Sequence, residues 1–328
     1  MTSLLSVKDL AVEFDLGKGA LRAVNGASLD VQQGEIMAIV GESGSGKTTL
    51  AFSIFNLVPP PGKIVGGEIF FDGKEVLSLN PEELRKYRWK EVAMVFQAAQ
   101  NVMNPVARIA DQMIDTAQAH GKTSKGEVIE HASELLKMVR LEPSQVLHSY
   151  PHELSGGMRQ RVIIALGLLL DPRMLILDEP TTALDVVTQA YILDILTDIR
   201  DKLGLTMILL THDMSIVAKV ADRVGVMYAG RIMEVGKVEE IFYDARHPYT
   251  MGLIRAAPSL IGDIGDKKAI PGSPPDLLNP PAGCPFHPRC AYATSHCAEV
   301  VPELKDTGGE RLVACHNWQL ISGGKQSD

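Results

Sequence analysis

Residues 41–49 read Gly41-Glu-Ser-Gly-Ser-Gly46-Lys47-Thr48-Thr49. The order is glycine, four residues, glycine, lysine and hydroxyl, and the chemistry it offers is phosphate binding. The glycines allow backbone N–H groups to curl around phosphate oxygens, with a helix N-terminus behind them. Lys47 would reach the β- and γ-phosphates, and Thr48 would bind Mg²⁺. Gly41, Ser43, Gly44, Gly46, Lys47, Thr48 and Thr49 are therefore the candidate phosphate-binding residues. A chance glycine turn is the plain alternative, but it needs neither the lysine nor its flanks. Gly34-Glu-Ile-Met-Ala-Ile-Val40 reads as a strand and an apolar helical segment follows Leu50, the context that gives this pattern its meaning.

A second constellation is Met174-Leu-Ile-Leu-Asp178-Glu179-Pro180. Four apolar residues predict a buried strand, and two carboxylates stand at its C-terminal end, where open α/β sheets place ligands. Asp178 can hold Mg²⁺ directly or through water, and Glu179 can act as general base toward the water that attacks the γ-phosphate. Alone, the pair reads equally well as a strand followed by a solvated acidic turn; after a phosphate loop the catalytic reading is the stronger. Just before it, Leu154-Ser155-Gly156-Gly157-Met158-Arg159-Gln160 precedes the apolar run Val162–Leu170. Ser155 is a good N-cap for the helix that follows. With Gly156 and Gly157 it leaves amides and a hydroxyl bare at a helix N-terminus, a second anion site.

These motifs resemble the ATP-binding cassette (ABC) ATPases, in which Leu-Ser-Gly-Gly-Met-Arg-Gln is the signature motif. The resemblance spans about residues 4 to 236 and implies further roles. Gln97 is similar to the Q-loop glutamine that senses γ-phosphate and Mg²⁺ and contacts the transport machinery. Ala183-Leu184-Asp185 resembles the D-loop, and His212 the switch histidine at the γ-phosphate. Phe14 matches the aromatic residue that stacks on adenine, although the inserted Gly17-Lys-Gly19 disturbs that alignment. In this family two cassettes meet head to tail, each phosphate loop facing the other's signature. A chain with one set of motifs must pair with itself or with a related, non-identical subunit.

A closer resemblance, to the ATPase subunits of oligopeptide and dipeptide importers, rests on Met103-Asn-Pro105, Tyr150-Pro-His-Glu-Leu-Ser155, the segment His247–Pro258 and Ile270-Pro-Gly-Ser-Pro-Pro275. It implies import of short peptides through two transmembrane permease subunits, with an extracytoplasmic binding protein delivering the cargo. Relatives of that family also import oligosaccharides, so that cargo is the first alternative. The chain departs from the family pattern at Ala98-Ala-Gln100, in the region that receives the permease coupling helices.

All four cysteines fall in one stretch, Cys284-x5-Cys290-x6-Cys297-x17-Cys315. A small loop-rich module after the proline-rich segment 271–281 needs a staple, and thiolates on a metal centre would supply one. These gaps are wider than the pairs favoured by structural zinc, and ferredoxin spacings do not match either. Spacing therefore leaves zinc and iron–sulfur open, with free thiols a third reading. The importer resemblance implies a [4Fe-4S] cluster on Cys284, Cys290, Cys297 and Cys315, with Zn²⁺ as the alternative. His287, His296 and His316 lie beside them and read better as hydrogen-bonded neighbours than as ligands. A structural staple is the plainer role for the centre, and redox sensing the other.

The elements that must position these residues can be read around them. Gly67–Asp72 and Val92–Gln97 predict strands. Lys125–Arg140 predicts an amphipathic helix with Val128, Ala132, Leu135, Leu136 and Val139 on one side. The expected fold is α/β: a RecA-like P-loop ATPase core with an antiparallel β-subdomain and a helical signature subdomain at about 100–165. The nucleotide-binding domain is expected over 1–240, with a small cysteine-bearing C-terminal extension over 241–328. A formal net charge of −8 on 328 residues argues against a surface that grips nucleic acid. A soluble cassette ATPase acting on nucleic acid or ribosomes is accordingly the weaker alternative. Neither a signal-like N-terminus nor a 20-residue apolar run is evident. The expected location is therefore the cytoplasm, peripheral on the inner face of the cell membrane through the permeases.

Overall fold

The computed structural model describes residues 3–17, 19–96, 102–122, 124–182, 184–257 and 269–322. The chain forms two compact units: residues 1–78 with 210–328, and residues 79–209.

The first unit opens with β1 (Ser3–Asp15), β2 (Ala20–Gln32), β3 (Ile36–Val40), α1 (Lys47–Ile54), β4 (Gly62–Phe71) and β5 (Lys74–Glu75). Among the described residues β2-β1-β4-β5 form an antiparallel sheet. Its long strands alternate buried Leu5, Val7, Leu10 and Val12 with more exposed neighbours, as a one-sided sheet requires. β3 is buried at every position and carries no alternation, the signature of a strand covered on both faces.

The second unit contains α2 (Pro81–Lys90), β6 (Val92–Val95), α3 (Ile109–Ala119), α4 (Lys125–Met138), α5 (Pro143–Val146), α6 (Gly156–Leu168), β7 (Met174–Asp178), α7 (Val186–Leu203) and the start of β8 (Thr206–Thr211). β6 and β7 pair in parallel, Val92 opposite Met174 and Val95 opposite Leu177. The helix predicted over 125–140 is present as α4, N-capped by the Ser124 hydroxyl. It buries Val128, Ala132, Leu135 and Leu136, and Val139 lies buried at its C-cap. The strand predicted over Val92–Gln97 ends at Val95, and Gln97 with Ala98-Ala-Gln100 lies outside the described residues.

The chain then returns to the first unit through α8 (Met214–Val220), β9 (Arg223–Tyr228), β10 (Arg231–Lys237), α9 (Val238–Tyr243) and α10 (Pro248–Ala256). The C-terminal part adds α11 (Ser295–Glu299), β11 (Lys305–Asp306), β12 (Leu312–Val313) and α12 (Trp318–Ser322). β9 runs parallel to β3 and antiparallel to β10, and β12 continues the sheet beside β10.

The C-terminal segment is built into this unit. One hydrophobic core holds Ala38 and Val40 of β3, Val217 of α8, Val224 and Val226 of β9, Tyr249 of α10, and Cys284, Phe286 and Cys297. A buried ion pair ties the last strands down. Glu234, fully buried, accepts from the Arg246 N–H at 2.8 Å, the His247 N–H at 3.0 Å and the Arg311 guanidinium at 2.7 Å. Arg311 also donates to the Asp244 carboxylate at 2.9 Å and to the Asp244 carbonyl. Glu234, with three donors, avoids much of its desolvation cost, whereas removing either partner strands the other.

Candidate functional site

In the first unit the phosphate-loop residues follow β3 and lead into α1. The N-cap of α1 is Gly46, left-handed at φ 104°, and no side chain caps the helix. A Cβ at Gly46 would come within 2.3 Å of the Ala23 carbonyl, and one at Gly41 within 2.1 Å of the Met227 carbonyl. These two glycines are required by packing, whereas a Cβ at Gly44 would meet nothing within 4 Å. Lys47 is buried, its ammonium donating to the carbonyls of Gly41 at 2.7 Å and Glu42 at 3.1 Å and to the Ser45 hydroxyl at 3.3 Å. Ser43, Thr48 and Thr49 lie on the same loop and the first turn of α1. Phe14, on β1 opposite Leu21 and Gly62, is half-buried, and its ring edge fills the space a side chain at Gly62 would take. His212 is exposed just after β8, ahead of Asp213, which caps α8 through the Ser215 N–H.

In the second unit β7 is buried throughout and ends on Asp178, itself 2% exposed. Glu179 follows at φ 47°, a left-handed backbone that a non-glycine residue rarely adopts. Its carboxylate accepts from the Thr182 hydroxyl at 2.9 Å. Such strain is of the order of 1–3 kcal/mol and collects at functional positions. Neither residue type nor spacing gives notice of it. Ser155 caps α6 as expected, accepting from the Met158 N–H at 3.3 Å. Gly156 and Gly157 form the first turn, and a Cβ on Gly157 would lie 2.8 Å from Thr188 Cγ2, so that glycine allows α6 and α7 to approach. Asp185 caps α7, accepting from the Thr188 N–H at 2.9 Å and its hydroxyl at 2.6 Å. Those bonds hold its carboxyl below the usual aspartate range. Ala183 and Gln97 lie outside the described residues.

The four cysteines share one neighbourhood. Cys284 and Cys297 are buried, Cys290 and Cys315 half-buried, and none is in a disulfide. The Cys284 N–H donates to the Cys297 carbonyl at 2.8 Å. The Cys290 sulfur accepts from the Tyr292 N–H at 3.4 Å, and the His287 N–H donates to the Cys284 carbonyl at 3.0 Å. Cys297 sulfur lies 3.4 Å from the Thr294 hydroxyl and 3.7 Å from the Asn317 amide. Burial pushes the Cys284 thiol up to about 11 and Cys315 to about 12, and raises Cys290 as well. Each of these thiols also feels the neighbouring sulfurs. Among the described residues no group of three or more His, Cys, Asp or Glu side chains is gathered closely enough to hold a metal ion. The expected cluster ligand set is therefore not assembled as the sulfurs stand. His287 and His316 each commit a ring nitrogen to a carbonyl, of Cys284 and Val300 respectively, at 2.9 Å.

Comparison with known proteins decides the family. The chain is 48% identical over 97% of its length, and 98% of the other's, to the dipeptide transport ATP-binding protein DppD of Caldanaerobacter subterraneus subsp. tengcongensis. It is 44% identical to the oligopeptide transport ATP-binding protein OppD of Escherichia coli, over 95% of this chain and 93% of that one. The chain belongs to the ABC transporter family. The family model for ABC transporters matches residues 24–182, and that for the C-terminal region of oligopeptide/dipeptide transporters matches 233–297. The dimeric bacterial ABC transporter cassette MJ0796 superposes with a TM-score of 0.64 at 29% identity, covering 71% of this chain and 98% of that one. This cassette therefore has the RecA-like P-loop ATPase fold, and it is an ATP-hydrolysing ABC ATPase. Among the described residues no helix of the cassette is long and apolar enough to cross a membrane.

Proposed function

We propose that this cassette binds and hydrolyses ATP to power the import of di- and oligopeptides. The observation that carries the reading is the near full-length similarity to dipeptide and oligopeptide transport ATP-binding proteins, including the C-terminal region. Phosphates would lie over Gly41, Ser43, Gly44, Gly46 and Lys47, with Thr48, Thr49, Gln97 and Asp178 around Mg²⁺. Glu179 would be the base, His212 would contact the γ-phosphate, and Phe14 would meet adenine. Ser155, Gly156, Gly157 and Asp185 would serve the nucleotide of a second cassette, which we take to be a related, non-identical subunit. In functional terms residues 1–240 form the nucleotide-binding domain and 241–328 the extension.

Two permease subunits would hold the cassette at the inner face of the membrane. A cleft of about 340 Å³ in the second unit supports this, lined by Trp89, Met94, Phe96, Met103, Ile163 and Leu166 among others. It is mainly apolar, with Gln112 and Asp115 among its polar lining, and takes in Met103 and Asn104 of the importer-like segment, as a surface receiving a permease helix would. Reconstituting the cassette with its permeases and binding protein, and asking whether peptides or oligosaccharides stimulate ATP hydrolysis, tests the cargo. Stimulation by oligosaccharides alone would exclude peptide import.

For the cysteines the reading is a [4Fe-4S] cluster held by Cys284, Cys290, Cys297 and Cys315. What supports it is the similarity of the C-terminal region to oligopeptide/dipeptide transporters, together with four thiols in one neighbourhood and the Tyr292 N–H directed at Cys290; Zn²⁺ is the alternative. The high thiol pKa values mean that loading must release protons. When bound, such a group would supply a four-point covalent staple. Iron, acid-labile sulfide and zinc analysis after anaerobic purification tests this, and one zinc without iron overturns it.

A further inference from the structure

The second residue of the phosphate loop is held from the C-terminal segment at two points. The Glu42 N–H donates to the Tyr249 hydroxyl at 2.8 Å. Its carboxylate receives a fork from Arg289, Nη1 at 2.6 Å and Nη2 at 3.0 Å. Arg289 immediately precedes Cys290, and the two ends of the ion pair are 247 positions apart in the chain.

This is not a loose surface pair. The Arg289 side chain is 5% exposed and that of Glu42 27%. Nε donates to the Pro271 carbonyl at 2.7 Å and Nη1 also reaches the Tyr228 hydroxyl at 3.2 Å. The guanidinium lies over the rings of Tyr228 and Phe286, 5.7 and 5.8 Å from their centroids. Those rings pack on each other edge to face, and both pack on Tyr249. The guanidinium is thus fixed by bonds and by stacking before it meets Glu42, and a planar fork so held transmits its position to the carboxylate. On the other side of Glu42, its carbonyl accepts from the Lys47 ammonium. One residue therefore joins the cysteine module to the lysine that meets phosphate.

We propose that Arg289 is a positioning residue of the nucleotide site: through Glu42 it holds the start of the phosphate loop in the shape that presents Lys47, so that the cysteine module sets ATP affinity. This rests on the reading of residues 41–49 as the ATP site. Tyr249, holding the Glu42 amide, is the second strut.

The test uses the full chain, a fluorescent ATP analogue for affinity, steady-state ATPase kinetics, and a melting curve for each variant. Arg289→Met, Arg289→Lys and Glu42→Gln should each weaken ATP binding about tenfold, inside the range over which contacting residues couple. The loss should appear in KM more than in kcat, because the residue shapes the binding loop and touches no reacting atom. Arg289→Met combined with Glu42→Gln should be no weaker than either alone. A merely structural Arg289 would lower the melting temperature while folded protein kept its ATP affinity; that outcome, or losses that multiply in the double variant, overturns the proposal. If Arg289→Met does not fold, Glu42→Gln and Arg289→Lys carry the test, with unchanged affinity in both as the overturning result. Lys47→Ala separates the two readings. If it binds ATP as well as the parent chain, the nucleotide site itself is misassigned. If it loses ATP while the Arg289 and Glu42 variants keep it, only the positioning role fails.

Discussion

The phosphate loop and the cysteine module lie in one unit and are made of opposite materials. Residues 41–49, the proposed phosphate loop, offer backbone amides and one lysine, and glycine is demanded where a Cβ would strike the Ala23 or Met227 carbonyl. Residues 284–315 work through side chains: four thiols, the Arg289 fork, and Arg311 buried against Glu234. Apart from the two glycines that packing requires, changes to groups offered to phosphate should appear in nucleotide chemistry. A module whose polar groups are buried should fail first in stability, because each lost partner leaves a group unpaired in a dry interior. Arg289 is where the two rules meet.

Four expected outcomes break or sharpen this contrast. The largest concerns chemistry without stability: Glu179→Gln should lower ATP turnover about 10²–10⁴-fold while ATP binding and melting temperature hold, since a carboxamide cannot take the proton. Near-normal turnover in single-turnover assays would remove Glu179 from the base role. The mirror image is Arg311→Met, which strands the buried Glu234 carboxylate and should cost about 3–5 kcal/mol in denaturant unfolding, with ATP affinity per folded molecule nearly unchanged. If its melting curve matches the parent, the buried pair is not what anchors the C-terminal strands.

Acid should act on the module side as well. Burial holds His247 down to about 3, its Nδ1 accepting from the Tyr249 N–H. The unfolded chain protonates this group near the usual value of 6.5. Between those values the unfolded state binds a proton that the native state refuses, so stability falls as pH falls. The slope contributed is about 1.4 kcal/mol per pH unit. A His247→Gln variant should show a correspondingly flatter stability profile between pH 6.5 and 5; an unchanged slope would place the acid sensitivity elsewhere. The smallest effect belongs to the signature helix, where Ser155→Ala removes the cap on the Met158 N–H and should cost about 1 kcal/mol. A larger loss in turnover than in stability would show that the hydroxyl has a second partner during the reaction cycle.

Much of the local structure around the proposed nucleotide site was legible because its signals are contiguous. The β7 strand runs over Met174–Asp178 as its apolar run predicts, Ser155 caps α6, and α4 buries the face read from its periodicity. The left-handed Glu179 was not legible, since residue type says nothing of a strained backbone at that turn. Nor was the structural side of two motif residues. Gly157 reads as an anion-site glycine, yet its lack of a Cβ also admits Thr188. Asp185 reads as a residue for a neighbouring cassette and also caps α7. Gln97 lies outside the described residues and stays an expectation from the motif alone. The cysteines were legible as a group, while the polar partners of their sulfurs were not.

What the sequence by itself determined is therefore the set of short-range features: the glycine loop after a strand, the carboxylates at a strand end, the serine before a helix, and the family they compose. Each depends on residues within a few positions, whose backbone geometry is set locally. Only the tertiary structure decided that Glu42 is clasped by Arg289 and Tyr249, that Arg311 lies against Glu234, and that two of the cysteines belong to the core of the phosphate-loop unit. A charged residue in a loop has the same letters whether solvated or buried, and its partner is chosen by where distant strands bring the chain together.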